Sequence, residues 1–86
     1  MVKLEILYFA WVREIIGCDG EQVDRPSADM SVANLIAQLA ERGGRYAEAL
    51  GDTGRLRAAL DQHFVPLETV IGEAKELAIF PPVTGG

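Results

Sequence analysis

Val32, Leu35, Ile36 and Leu39 recur at i, i+3, i+4 and i+7, the spacing that lets a helix lay one apolar face on a core. Ser31 before this stripe is a natural N-cap, and Gly43-Gly44 after it is a natural stop. The spacing therefore predicts one main helix over residues 31–42. The remaining apolar runs are shorter and read differently. Residues 3–9, KLEILYF, put Leu4, Ile6 and Tyr8 on one face of a strand and Glu5, Leu7 and Phe9 on the other. Residues 10–16, AWVREII, have helical spacing and run into Gly17, which can take the left-handed position that ends a short helix. A weaker strand is expected over 21–25, stopped by Pro26, and others over 56–60, 64–65 and 76–80. Asp61-Gln62-His63 reads as the turn between two of them. One main helix among several short strands predicts an α+β sheet with that helix packed across it.

Composition narrows the class of partner. The chain has 86 residues, 49% of them hydrophobic and 24% charged, which suits a single small globular domain. Its net charge of −5 is spread along the chain. Phosphate binding needs Lys and Arg, so nucleic acid is not an expected partner, whereas a basic protein surface is. No apolar run approaches the roughly 20 residues that span a bilayer, so no membrane association is expected. Met1-Val2-Lys3-Leu4 lacks the layout of a signal peptide, and a cytoplasmic location is the expectation. Cys18 is the single cysteine. One thiol makes no internal disulfide, and a zinc site would need several Cys or His ligands, so no metal is expected. Cys18 between Gly17 and Asp19 reads as a bystander in a turn.

The end of the sequence is unusual in a different way. It reads FPPVTGG. Pro81-Pro82 has fixed φ and no N–H, so it ends a strand and projects the last four residues away from the sheet. Four residues reach at most ~14 Å when extended. That is enough to enter a pocket on a neighbouring protein, and Gly85-Gly86 can pass where a Cβ would clash. A glycyl carboxylate is the least hindered one a chain can present. It is anionic and unreactive at neutral pH, but activation by ATP to an acyl-adenylate would let the carbonyl carbon accept sulfur or an amine. A frayed end is the plain alternative for a terminal Gly-Gly.

ELAIFPPVTGG resembles the C-terminus of the small subunits of molybdopterin synthase. YFAWVREIIG is similar to that family's first strand and helix entry, and AALDQHFVPLETVI to its central hairpin, so the likeness runs nearly end to end. The resemblance implies a β-grasp, ubiquitin-like fold over residues 1–82 and a flexible C-terminal tail over 83–86. It implies a sulfur carrier of molybdenum cofactor biosynthesis. Gly86 would be adenylated by an activating enzyme that uses ATP, then converted to a thiocarboxylate by a sulfur donor. The tail would enter the large synthase subunit and give sulfur to cyclic pyranopterin monophosphate, forming the molybdopterin dithiolene. Carried over by position, Gly86 bears the sulfur and Gly85 passes the narrow channel before it. Phe9, Phe64 and Phe80 would dock the large subunit, with Arg13 and the tail residues Pro81, Pro82, Val83 and Thr84 as further partner contacts. The chain itself would bind no cofactor and act as the sulfur-donor subunit of a heterotetramer. The turn GEAKE departs from the family's usual Asp-Gly turn, which bears on local geometry alone.

Other readings stay open at this level. The chain could be a carrier for thiamine or another sulfur pathway, a ubiquitin-like modifier joined through Gly86 to lysines, or an interaction module with an inert end. Phe9, Phe64 and Phe80 have a core reading as well as an interface one, though three aromatics exposed without a partner would be unusual. His63 reads as an exposed turn residue. The stretch 45–55 reads as a short helical turn at 46–50 followed by a loop through Gly51-Asp52-Thr53-Gly54, and the role of the 43–55 segment is left open.

Overall fold

The computed structural model describes residues 2–82. Residues 83–86 lie outside the described residues, and with them the expected boundary between domain and tail. The chain runs β1 (Lys3–Tyr8), α1 (Ala10–Ile16), β2 (Gly20–Asp24), α2 (Val32–Ala40), α3 (Gly44–Leu50), a 3-10 turn (Thr53–Arg55), β3 (Arg57–Leu60), β4 (His63–Val65) and β5 (Glu76–Phe80). The five strands form one mixed sheet in the order β2-β1-β5-β3-β4. β1 and β5 are parallel at its centre, and every other pair is antiparallel. The first and last strands are thus neighbours, and the chain's final described residues leave from mid-sheet. This is the β-grasp architecture.

Pleating sorts the side chains. Leu4, Ile6 and Tyr8 of β1 and Leu77 and Ile79 of β5 point to the inner face and are almost fully buried. Val32, Leu35, Ile36 and Leu39 of α2 cover them, joined by Val12 and Ile16 of α1 and by Leu50, Leu56 and Ile71. Each of Leu4, Ile6, Leu77 and Ile79 contributes about 1.5–3 kcal/mol through removal from water. α2 begins as expected: the Ser31 hydroxyl accepts a hydrogen bond from the Asn34 N–H at 3.1 Å. α1 ends as expected on Gly17, whose φ of 95° is open to glycine at little cost. Gly20 answers a different need. It faces Leu7 across the β1–β2 pair, and a Cβ there would stand 2.5 Å from the Ile6 carbonyl oxygen.

Two local expectations change. α2 stops at Ala40, and Gly43-Gly44, expected to end it, opens α3 instead, with φ of 80° and 54°. Glycine's access to the left-handed region serves a helix start here as well as it serves a stop. His63 is the first residue of β4 and not part of the turn. The turn needs only Asp61 and Gln62, both at positive φ, which matches the twist of a two-residue hairpin. The stretch 68–71 adds no strand. Val70 makes a single bridge to Ser31, and Ile71 plugs the core.

Candidate functional site

The outer face of the sheet carries no helix among the described residues. Its side chains follow from the register. Leu7 faces Ala78, Ala78 faces Ala59, and Ala59 faces Phe64, so one row crosses β1, β5, β3 and β4. Alanine fills the two central positions and a large side chain stands at each end. The row is therefore a trough with an alanine floor. Phe64 is 82% exposed and Phe9 is 44% exposed, while Phe80 is half-buried. The Phe64 and Phe80 rings lie 5.6 Å apart between centroids, tilted by 50°. This pair forms a ridge with a hollow on each side. Phe9, Ala59, Ala78 and Glu76 line one hollow, and Arg57, Ala58, Val65 and Pro66 line the other. Water-exposed aromatic surface of this kind marks a docking face.

The trough is continuous with the last described residues. β5 runs along it, and Phe80 passes directly into Pro81 and Pro82, both half-buried. Val83, Thr84, Gly85 and Gly86 lie outside the described residues. The structure thus brings together Phe9, Phe64, Phe80, Pro81 and Pro82 among the residues singled out from sequence. Arg13 stands apart on α1. Its Nε is 3.9 Å from a carboxylate oxygen of Asp19, both side chains are well exposed, and it lines neither hollow. A pair so open to water holds little in place. Cys18 is a free, partly buried thiol packed against the core, and His63 is exposed on the edge strand. Among the described residues no group of His, Cys, Asp and Glu is arranged to hold a metal ion. No helix there is long and apolar enough to cross a membrane.

Sequence reasoning missed one polar assembly on the other side of the sheet. The Glu21 carboxylate of β2 accepts from the Tyr8 hydroxyl at 2.7 Å and the Tyr46 hydroxyl at 2.8 Å, and Arg42 Nη1 donates to its other oxygen at 2.8 Å. The Arg42 guanidinium also lies 4.8 Å over the Tyr46 ring. Burial pulls the Glu21 carboxyl upward, but the hydrogen bonds from Arg42, Tyr8 and Tyr46 outweigh it and hold it below its ordinary value. Burial, then the Glu21 hydrogen bond, push the Tyr8 phenol up. The cluster ties β1, β2 and α3 together behind Phe9. Arg42 and Tyr46 stand four apart, but no spacing in the sequence links them to positions 8 and 21, so no signal there could have found the whole cluster.

Comparison with known proteins agrees with this geometry. The model of the ThiS family matches residues 6–86. The molybdopterin synthase sulfur carrier subunit of Haemophilus influenzae is 40% identical over 84 residues, spanning 96% of this chain and 99% of that protein. The Escherichia coli protein of the same name is 39% identical over the same shares. Among solved structures, the protein-protein complex of subunit 1 and 2 of molybdopterin-converting factor from Helicobacter pylori contains a chain with the same fold. The TM-score is 0.62 at 22% identity, over 99% of this chain and all of that one.

Proposed function

This chain belongs to the ThiS family, and from that premise we propose that it is the sulfur carrier subunit of a molybdopterin synthase. The observation that carries the reading is the match over nearly the whole length of both chains to relatives of that name. The geometry is consistent with it. An exposed aromatic trough runs along β5 and leads straight into the Pro81-Pro82 step before Val83-Thr84-Gly85-Gly86. The trough docks the large subunit through Phe9, Phe64 and Phe80, and the tail then has a defined origin from which to enter the partner's pocket.

The chemistry sits on the main chain at Gly86. A carboxylate oxygen attacks the α-phosphorus of ATP on a separate activating enzyme, and pyrophosphate leaves. The terminal sulfur of a persulfide on a donor protein adds to the acyl carbon, and AMP leaves. A thiol then attacks the donor's sulfur in the acyl disulfide, forming a disulfide with the donor and releasing the thiocarboxylate. The product thiocarboxylate is anionic and a better nucleophile than the carboxylate it replaces. Inside the large subunit its sulfur displaces an oxygen substituent from a carbon of cyclic pyranopterin monophosphate. Water cleaves the resulting thioester, leaving the sulfur on the pterin and restoring the carboxylate. A second sulfur-charged carrier supplies the second sulfur of the dithiolene. Enclosure in that pocket limits wasteful hydrolysis. Residues of the folded body bind and orient, and ATP belongs to the activating enzyme. A cytoplasmic location goes with these partners.

Intact-mass measurement of the protein from its own cells tests the reading. The expected result is a fraction in which one oxygen is replaced by one sulfur, lost when Gly86 is deleted while the circular dichroism spectrum is unchanged. Covalent adducts on target lysines without any sulfur-bearing form would favour the modifier reading instead. Sulfur transfer retained after the deletion would overturn the carrier model.

A further inference from the structure

The two hollows beside the Phe64–Phe80 ridge differ in charge. Glu76 is the charged residue lining one, and Arg57 the charged residue lining the other. Glu76 begins β5, and its Cα partner across the parallel β1–β5 pair is Glu5. Both carboxylates therefore leave the same face of the sheet from neighbouring strands. Neither enters an ion pair among the described residues, where the pairs are Lys3–Asp24, Arg13–Asp19 and Arg42–Glu21. Like charges placed side by side across strands work against the sheet. The backbone gives Glu76 little freedom to turn away. Its N–H donates to the Asp61 carboxylate at 3.0 Å, its carbonyl accepts from the Asp61 N–H at 3.0 Å, and it pairs in register with Glu5 of β1.

A partner covering this trough would strip water from Glu76. An apolar partner surface would leave a buried carboxylate unpaired, which is strongly unfavourable. A cation there would both pair and neutralise it. The hollow suits a long one: Ala59 and Ala78 give an apolar floor, Phe9 and Phe64 give aromatic walls, and the carboxylate lies at the far end from Pro81. Lys and Arg side chains combine an apolar stem with a charged head in this way. Resting on the proposed assembly with a large synthase subunit, we propose that this hollow receives one Arg or Lys side chain of that subunit, with its stem on Ala59 and Ala78 and its head at Glu76 beside Glu5. The contact lies about 13 Å along β5 from Phe80. A charge pair at that distance from the tail sets the direction in which the trough is read, so that residues after Pro82 point into the partner and not away from it. Glu76 is thus a positioning residue.

Titration of the full chain against its organism's own purified large subunit, at several salt concentrations, tests this. Glu76→Gln is expected to raise Kd about five- to tenfold and to flatten its salt dependence, and Glu76→Lys to raise Kd about a hundredfold. Phe64→Ala is expected to raise Kd with the salt dependence kept. In double-mutant cycles, one basic residue of the large subunit should lose its contribution when Glu76 is already Gln. If wild type and Phe64→Ala behave as stated but Glu76→Gln stays within twofold, or weakens binding without altering the salt dependence, the cation contact is wrong and the carrier reading stands. If the wild-type chain does not bind the large subunit at all, both fall.

Discussion

The Phe64 and Phe80 rings meet at 5.6 Å on the solvent side of β4 and β5, and Phe64 remains 82% exposed. The pair therefore adds little to the stability of the isolated chain. Its apolar surface becomes useful only when something else covers it. The same ridge separates an acidic hollow from a basic one, so a partner that fits it meets opposite charges on its two flanks.

Phe64→Ala should separate folding from association. An exposed side chain on a three-residue edge strand contributes little to stability, and thermal unfolding is expected to change by less than about 0.5 kcal/mol. Binding to the large subunit should weaken by about 2 kcal/mol, as for a central aromatic anchor, measured by calorimetry. A large loss of stability with unchanged affinity would place Phe64 in the fold and not at the interface.

Glu21 gives a pH dependence of definite sign. Its carboxyl is held below the ordinary value in the folded chain by Arg42, Tyr8 and Tyr46. The stabilisation is present above the unfolded-state pKa of a glutamate, about 4.3, and is lost as pH falls through the lower folded value. Glu21→Gln is expected to destabilise by about 1–2 kcal/mol near neutral pH. That difference from wild type should shrink below the ordinary glutamate range and vanish in stronger acid. Urea unfolding of both proteins across that range provides the check, and a gap that widens in acid would contradict the assignment.

Gly20→Ala tests the close approach of β2 to β1. The added methyl would stand 2.5 Å from the Ile6 carbonyl oxygen, which is backbone and cannot swing aside. The strands must separate, and a loss of about 1–3 kcal/mol is expected in thermal or urea unfolding. Gly43→Ala makes a useful contrast, since nothing lies within 4 Å of its Cβ position and only the positive φ opposes the change.

Much of the local structure was legible in the chain. The stripe of Val32, Leu35, Ile36 and Leu39 set α2, Ser31 capped it, Gly17 closed α1, and the alternation of Leu4, Ile6 and Tyr8 placed β1 with its correct inner face. These are short-range effects, decided by side-chain period and backbone freedom over a few residues. The string ending in PPVTGG likewise carried the family likeness without help from the fold. The glycines at 43 and 44 show where such reasoning runs out, because a left-handed residue can close one helix or open the next, and the chain on either side decides which.

The site itself belongs to the tertiary structure. Ala59, Ala78, Phe9, Phe64 and Glu76 share one trough only because β5 inserts between β1 and β3, parallel to one and antiparallel to the other. Strand order is a non-local choice. It depends on which sheet buries Leu4, Ile6, Leu77 and Ile79 under α2 with the backbone hydrogen bonds made, and no window of sequence contains that sum. The Glu21 cluster has the same origin: residues from three separate stretches of the chain meet because β2 and α3 pack on the same end of β1, where a half-buried carboxylate must find donors. Residue order alone determined most of the elements and the likeness of the final residues to the family's C-terminus. Packing decided which side chains surround the path that leads to them.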